Sequence, residues 1–253
     1  MNRFVSRISI GLVAAAALAV TAYAADYMVP SGTPDYIKHA VESKDRPEAA
    51  VARDAGRKPA EVLTMSGVKP GDHVVEFAGF GNYYTAMLSD IVGTNGKVDM
   101  FDLPYTEARA GAGSRAFVAA HPNTTYTLVN YNDIQLPSNV DEVLMVLYYH
   151  DLSLNDIDTA ALNKKILAAL KPGGTFLVVD HNARPGSGRE DTKQLHRIDP
   201  EVIKSEVTAA GFKLVEESHI LAHPEDDHSK MIFSPGMRGA TDRTIFKFQK
   251  PAM

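Results

Sequence analysis

Residues 74 to 85 run Val74-Val75-Glu76-Phe77-Ala78-Gly79-Phe80-Gly81-Asn82-Tyr83-Tyr84-Thr85. An apolar run meets a carboxylate near its end, passes through a short turn of mostly small residues, and enters a helix-forming segment. Glycines in such a turn let the backbone approach a ligand closely, and the following helix offers unpaired N–H groups at its start. Nucleotide-like cofactors use this strand, turn and helix geometry. A second strand, Lys97 to Phe101, ends at Asp102, the distance downstream at which dinucleotide folds place an acid for ribose hydroxyls. The chain therefore reads first as a cofactor-binding α/β domain.

Outward from this junction, apolar strands alternate with helical stretches. The turn Lys69-Pro70-Gly71-Asp72 launches the strand His73 to Phe77, and a helix is expected from about Tyr83 to Ile91. Then come a strand at Val98 to Phe101, a helix near Glu107 to His121, and strands at Thr125 to Asn130 and Glu142 to Leu147. A helix near Ile157 to Leu170 precedes the strand Thr175 to Val179. This rhythm predicts a parallel sheet with helices on both faces. The helix Pro200 to Ala210 and the strands near Lys213 to Ile220 and Arg243 to Gln249 suit an antiparallel edge. Ahead of the sheet, helical pieces are expected around Glu48 to Ala55 and Pro59 to Met65, each opening near a proline. Asp26 to Pro34, rich in turn formers, is expected to wrap the surface.

At the start of the chain, Arg3 and Arg7 precede an apolar stretch from Ile8 to Val20, followed by Ala22-Tyr23-Ala24. The three regions match a secretory signal peptide over residues 1–24, so the chain is expected to be exported, to the periplasm in a bacterium. The apolar stretch falls short of the roughly 20 residues that span a bilayer, which argues against an anchor and predicts no stable membrane insertion after cleavage. Residues 25–253 then form one domain, with an N-terminal extension over about 25–68. Without Arg3 and Arg7 the 26 basic side chains become 24 against 31 acidic ones, a net charge of −7 that gives no support to a nucleic-acid partner. There is no cysteine, hence no disulfide framework and no thiolate metal site. Oligomeric state is not legible.

These residues resemble the class I S-adenosylmethionine-dependent methyltransferases. Four features carry the likeness: Val74-Val75-Glu76 with its turn, Gly96-Lys97-Val98 leading to Asp102, Asn132-Asp133, and Leu170-Lys171-Pro172-Gly173-Gly174-Thr175. It covers the chain from about Ala60 onward. It looks closest to a group of exported bacterial predicted methyltransferases, marked by Tyr149-His150-Asp151-Leu152, Asp180-His181, Gly186-Ser187-Gly188 and Leu195-His196-Arg197-Ile198-Asp199-Pro200.

The resemblance implies an α/β, Rossmann-like doubly wound fold with a seven-stranded, mostly parallel sheet whose C-terminal strand lies antiparallel beside the fifth. It implies S-adenosylmethionine as cofactor and a methyltransferase acting on a small molecule of unknown identity. Glu76 and the turn residues Ala78, Gly79, Gly81 and Asn82 would border the methionine part, Asp102 would take the ribose hydroxyls, and Asp133 the adenine amino group. In the family's turn, acid-x-Gly-x-Gly-x-Gly, the glycine positions here hold Ala78, Phe80 and Asn82. Asparagine tolerates positive φ, so Asn82 is a mild departure, whereas Phe80 is a candidate to occlude the pocket.

In an open α/β sheet, chemistry sits beyond the carboxyl ends of the strands. That singles out Tyr148, Tyr149, His150 and Asp151 after the fourth strand and Asp180 and His181 after the fifth; among them Tyr149, His150 and His181 are the catalytic candidates, the histidines because an unperturbed imidazole titrates near neutral pH. His196 and Arg197 are candidates for the substrate, with Arg197 suited to an anionic group. Asp199 is expected to cap the helix that Pro200 opens. Arg53, Arg57 and Lys58 are expected to form a solvated helical face, although they could meet a ligand carboxylate.

Two rival readings remain. One is a non-catalytic binding protein on a degenerate methyltransferase fold. The other is a metal-dependent hydrolase using His219, His223 and His228 with Glu225, Asp226 and Asp227. The spacing of that last group matches no standard ligand pair, so no metal site is expected.

Overall fold

The computed structural model describes residues 27–252, so the expected signal peptide lies outside the described residues. Seven strands form one sheet: β1 (His73–Phe77), β2 (Lys97–Asp102), β3 (Thr124–Leu128), β4 (Val140–Val146), β5 (Leu170–His181), β6 (Lys213–Ser218) and β7 (Arg243–Gln249). Their order is β3-β2-β1-β4-β5-β7-β6. β7 alone runs against the others, paired antiparallel with β5 and with β6. The Rossmann-like sheet with its reversed C-terminal strand is thus as expected. The chain leaves β1 toward β2 on one side and returns to β4 on the other, so a crevice opens beyond β1, where such folds bind ligands.

Helices α1 (Asp35–Val41), α2 (Glu48–Val51), α3 (Asp54–Arg57) and α4 (Pro59–Ser66) precede the sheet. Within and after it come α5 (Tyr83–Val92), α6 (Ala112–Ala120), α7 (Thr159–Ala169), α8 (Thr192–Leu195) and α9 (Pro200–Ala209). Strand alternation divides the core. Val75 and Phe77, with Val143, Met145, Phe176, Val178 and Phe246, pack on the face that carries Ile166 of α7 and Ile203 of α9. Val74, Leu144, Leu177, Val179 and Ile245 pack on the opposite face, against Ile37 of α1, Leu63 of α4 and Leu88 of α5. A one-residue slip of any of these strands would send its apolar set to the wrong layer. Caps follow the sequence: Asp158 accepts from Ala161 N–H ahead of α7, and Asp199 from Glu201 N–H ahead of α9, each worth about 1 kcal/mol.

Three local expectations are corrected. The single helix near Glu48 to Ala55 is two short pieces, α2 and α3. The helix near Glu107 to His121 becomes a wide turn over Glu107–Gly111 followed by α6; a Cβ on Gly111 would collide with the Glu107 carboxylate. The helix α1 falls just after the segment read as turns; its buried Ile37, Ala40 and Val41 carry a helical spacing masked by the neighbouring prolines.

Candidate active site

Beyond β1 the backbone turns through two left-handed residues, Ala78 (φ 56°) and Asn82 (φ 53°), with Gly81 at φ 88° between them. Gly79 is needed for space, since a Cβ there would lie 2.7 Å from Met100 Sδ and 2.9 Å from Glu76 Oε2. Gly81 supplies a positive φ to the turn and Gly79 its space, one residue out of register with acid-x-Gly-x-Gly-x-Gly. Phe80, the residue at the family's middle glycine, is not at positive φ. Its ring lies 6.3 Å from that of Tyr148, centroid to centroid, with the Arg109 guanidinium 5.7 Å from its own centroid.

Two acids flank the turn. Glu76 is buried and accepts from Thr85 Oγ1 at 2.5 Å. Burial pushes its carboxyl up to about 8; the Thr85 hydroxyl opposes this, the Asp102 charge adds to it, and Arg57 opposes it. Asp102, at the end of β2, is fully buried, and neither carboxylate oxygen has a hydrogen-bond partner. Burial raises it to about 7 against the N–H groups of Gly79 and Phe80, neither of which completes a hydrogen bond to it by geometry. A buried acid without partners costs free energy unless a ligand supplies the missing donors. Asn82 Oδ1 is likewise buried and unpartnered. Gly81 and Asn82 also line a cleft of about 780 Å³ bordered by Arg46, Ser89 and Asn123, to which Glu76 and Asp102 do not contribute.

Beyond β4 and β5 three histidines converge. His150, Asp151 and Tyr149 form a single turn after β4, and Asp180 and His181 close β5. His150 Nδ1 lies 2.6 Å from Asp180 Oδ1, and its backbone N–H donates to Asp180 Oδ2 at 2.7 Å. The other ring nitrogen, Nε2, is 3.2 Å from Asp151 Oδ1, the same oxygen that His196 Nδ1 meets at 2.9 Å. The His150 ring centroid is 5.8 Å from that of His181 and 5.6 Å from that of His196. Burial works against a charged His150, but the Asp180 charge and the hydrogen bonds to Asp151 and Asp180 outweigh it and raise the ring to about 10. His181 is driven well down by burial, by the His150 charge, and by Arg243, Arg197 and Arg57; its Nδ1 meets Thr241 Oγ1 at 2.8 Å. The surroundings thus favour the charged ring at His150 and the neutral ring at His181.

Other expected site residues lie elsewhere. Tyr149 points away from the histidines, donating to Glu206 at 2.9 Å and accepting from Asn163, because successive residues of a tight turn face different sides. Arg197 is fully buried and forked on Asp226, with further bonds to the carbonyls of Asn182 and Lys230; it has no free face for a substrate. Asp133 is exposed on the turn after β3. The tail acids and histidines do not gather: His219 is exposed beside Glu217, His228 bonds Asp242, and His223 meets Arg243. Arg53 is exposed and Arg57 half-buried, and both guanidinium groups lie 4.6 Å from the Tyr83 ring centroid, so that face is solvated only in part. Lys58 donates to the Ile220 carbonyl. Asp151 and Asp180, singled out in the sequence by their place at strand ends, are what hold the histidines: Asp180 meets His150, and Asp151 meets both His150 and His196.

Among the described residues no helix is long and apolar enough to cross a membrane. No family model matches the chain. It is 26% identical over 135 residues to the ubiquinone/menaquinone biosynthesis C-methyltransferase UbiE of Teredinibacter turnerae, a match covering 53% of each chain; the chain spans about half the length of that curated relative. A SAM-dependent methyltransferase from Aquifex aeolicus superposes with a TM-score of 0.58 at 18% identity, covering 83% of this chain and 96% of that one. The [4+2]-cyclase SpnF superposes with the same TM-score at 16% identity, over 83% of this chain and 86% of its own. At these identities the likeness to solved structures establishes the fold, and SpnF illustrates that one fold hosts more than one chemistry.

Proposed function

We propose that this chain, which has the class I methyltransferase fold and resembles that family in sequence, binds S-adenosylmethionine beyond β1 and β2 and transfers its methyl group to a small molecule. The observation that carries the reading is Asp102, whose two buried oxygens lack donors at the position where this fold takes ribose hydroxyls. The cofactor supplies an electrophilic methyl group on a sulfonium. This chain's residues would do the rest: Asp102 accepts from two hydroxyls, the Gly79 and Gly81 backbone allows close approach, and Arg57, whose charge reaches Glu76, faces a carboxylate. Displacement at a methyl group needs positioning above all, with a base for poorly acidic nucleophiles. Of the two strand-end histidines, His181 is the one whose surroundings favour the neutral ring, and the same burial and cations make it a weak base.

Calorimetric titration with S-adenosylmethionine and with its demethylated product tests the reading. Micromolar binding, worth about 8 kcal/mol, is expected. Asp102→Asn should weaken it by about 1 to 3 kcal/mol; unchanged affinity would remove Asp102 from the site. A second reading, a binding protein that has lost the cofactor, is favoured by one observation, the Phe80 ring against Tyr148 at the turn. Absence of binding by the native chain, with a large gain in Phe80→Gly, would make that reading the better one.

Export of residues 25–253 as one domain is part of the same proposal and rests on the pattern of residues 1–24 alone. A mature N-terminus at Ala25 in the periplasmic fraction would support it, and an intact Met1 in the cytoplasm would refute it.

A further inference from the structure

We propose that His150, Asp151 and His196 form a binding site for one divalent first-row transition ion, such as Zn²⁺, beyond the carboxyl ends of β4 and β5. Each residue offers a ligand atom, and the three atoms lie within 4.8 Å of one another. The separations of His150 Nε2 and His196 Nδ1 from Asp151 Oδ1 are 3.2 and 2.9 Å. Neighbouring donors on a metal with bonds of about 2.1 Å stand about 3.0 to 3.4 Å apart, so the His150 pair already has the spacing of a coordination shell and the His196 pair falls just short of it.

The surroundings are those of a metal site rather than of an isolated ion pair. Asp180 accepts from His150 Nδ1 at 2.6 Å and from the His150 backbone N–H at 2.7 Å. This fixes the ring and leaves Nε2 as the nitrogen turned to Asp151, the carboxylate and histidine relay that supports metal-bound imidazoles. The ion would take the place of the proton that His150 Nε2 shares with Asp151 Oδ1 at 3.2 Å, so binding would release a proton. The donor set of two histidines and one carboxylate favours transition ions over Mg²⁺ or Ca²⁺, which prefer oxygen.

Three protein ligands leave coordination positions free for water or for an oxygen or nitrogen of a substrate. The site is graded in exposure: His150 is buried, while Asp151 and His196 are half-buried. The exposed Phe233 ring, 5.1 Å from that of His196, borders it on the solvent side. It is distinct from the tail cluster of His219, His223 and His228, whose side chains have separate partners. The inference does not depend on S-adenosylmethionine binding, since none of its ligands belongs to the turn or to Asp102.

The test uses the untagged full chain, stripped with a chelator, titrated with Zn²⁺ by calorimetry and with Co²⁺ by visible absorption. One Zn²⁺ per chain and a Co²⁺ ligand-field band are expected. His196→Asn, which keeps a residue tolerant of the left-handed backbone at φ 54°, should weaken Zn²⁺ by at least about tenfold and abolish the Co²⁺ band. His219→Asn, on an exposed tail residue, should change neither. Absence of saturable Zn²⁺ binding up to about 1 mM would overturn the proposal, as would binding that His196→Asn leaves intact. Circular dichroism of His196→Asn separates loss of a ligand from loss of fold.

Discussion

At the carboxyl end of β2, Asp102 keeps both oxygens buried and without a partner, whereas beyond β5 Arg197 and Asp226, buried almost as deeply, are locked together. Both regions withdraw charge from water, yet only one has satisfied it. Burial alone therefore does not mark a binding site. A polar group that the fold desolvates and leaves unpaired either takes up a proton or is met by something outside the chain, while one that the fold has already paired holds loops in place. On the proposed function a ligand would supply the donors that Asp102 lacks, whereas the Arg197 fork already holds the tail.

Breaking the fork should have the largest effect. Arg197→Ala leaves Asp226 charged and buried and orphans the carbonyls of Asn182 and Lys230, so a loss of about 3 to 5 kcal/mol is expected. Chemical denaturation reads it directly. A loss below about 1 kcal/mol would mean that the fork is solvated in solution and would return Arg197 to the list of substrate ligands. Asp102→Asn should behave oppositely, holding or raising stability while weakening the cofactor, because it removes a desolvated charge that the nearby N–H groups of Gly79 and Phe80 only partly offset.

A pH series sharpens the same contrast. Glu76 is raised to about 8, Asp102 to about 7 and Glu142 to about 8, each first by burial. Their folded pKa values lie above the unfolded ones, so the folded chain holds the extra protons. Their stabilising contribution is full below the ordinary carboxylate range and is lost as pH rises through about 7 to 8. Denaturation midpoints should therefore fall between about pH 5 and about pH 8.5, and Asp102→Asn should flatten the fall. Ligand affinity should move the other way, because an ionised Asp102 accepts two hydroxyl donors better than a protonated one. A midpoint that does not fall across this range would mean that these acids are better solvated than their burial implies.

Much of this contrast was legible in the sequence, and the limits have physical causes. The alternation of apolar strands and helices is local, so the strands from His73 to Val179 and the acids at their ends could be read from one sequence. Asp102 was legible because a carboxylate ending an apolar strand has few explanations. Pairing across the chain is not local. The fork joins residues 29 apart and the His196 contact with Asp151 spans 45, and nothing in Leu195-His196-Arg197 tells which side chain turns outward. Tyr149 and His150 are adjacent yet serve opposite sides of the same turn, a distinction that only tertiary structure makes.

The smallest expected effect concerns the turn itself. Of its three departures from the family's glycine pattern, Ala78 and Asn82 stand at positive φ and Phe80 does not. A left-handed backbone costs a residue with a Cβ about 1 to 2 kcal/mol, and asparagine less than alanine. Glycine at position 78 would relieve that strain but would also loosen the unfolded chain by about 0.4 to 1 kcal/mol. Ala78→Gly should therefore stabilise the protein by about 0.5 kcal/mol, and Asn82→Gly should be near neutral. Phe80→Gly gains nothing from backbone relief and loses the ring packed on Tyr148, so it should destabilise. If Ala78→Gly also destabilises, the left-handed turn is not the solution geometry. Asp102 would then lie beside a different backbone path, and the contrast between an open corner and a closed fork would lose its first member.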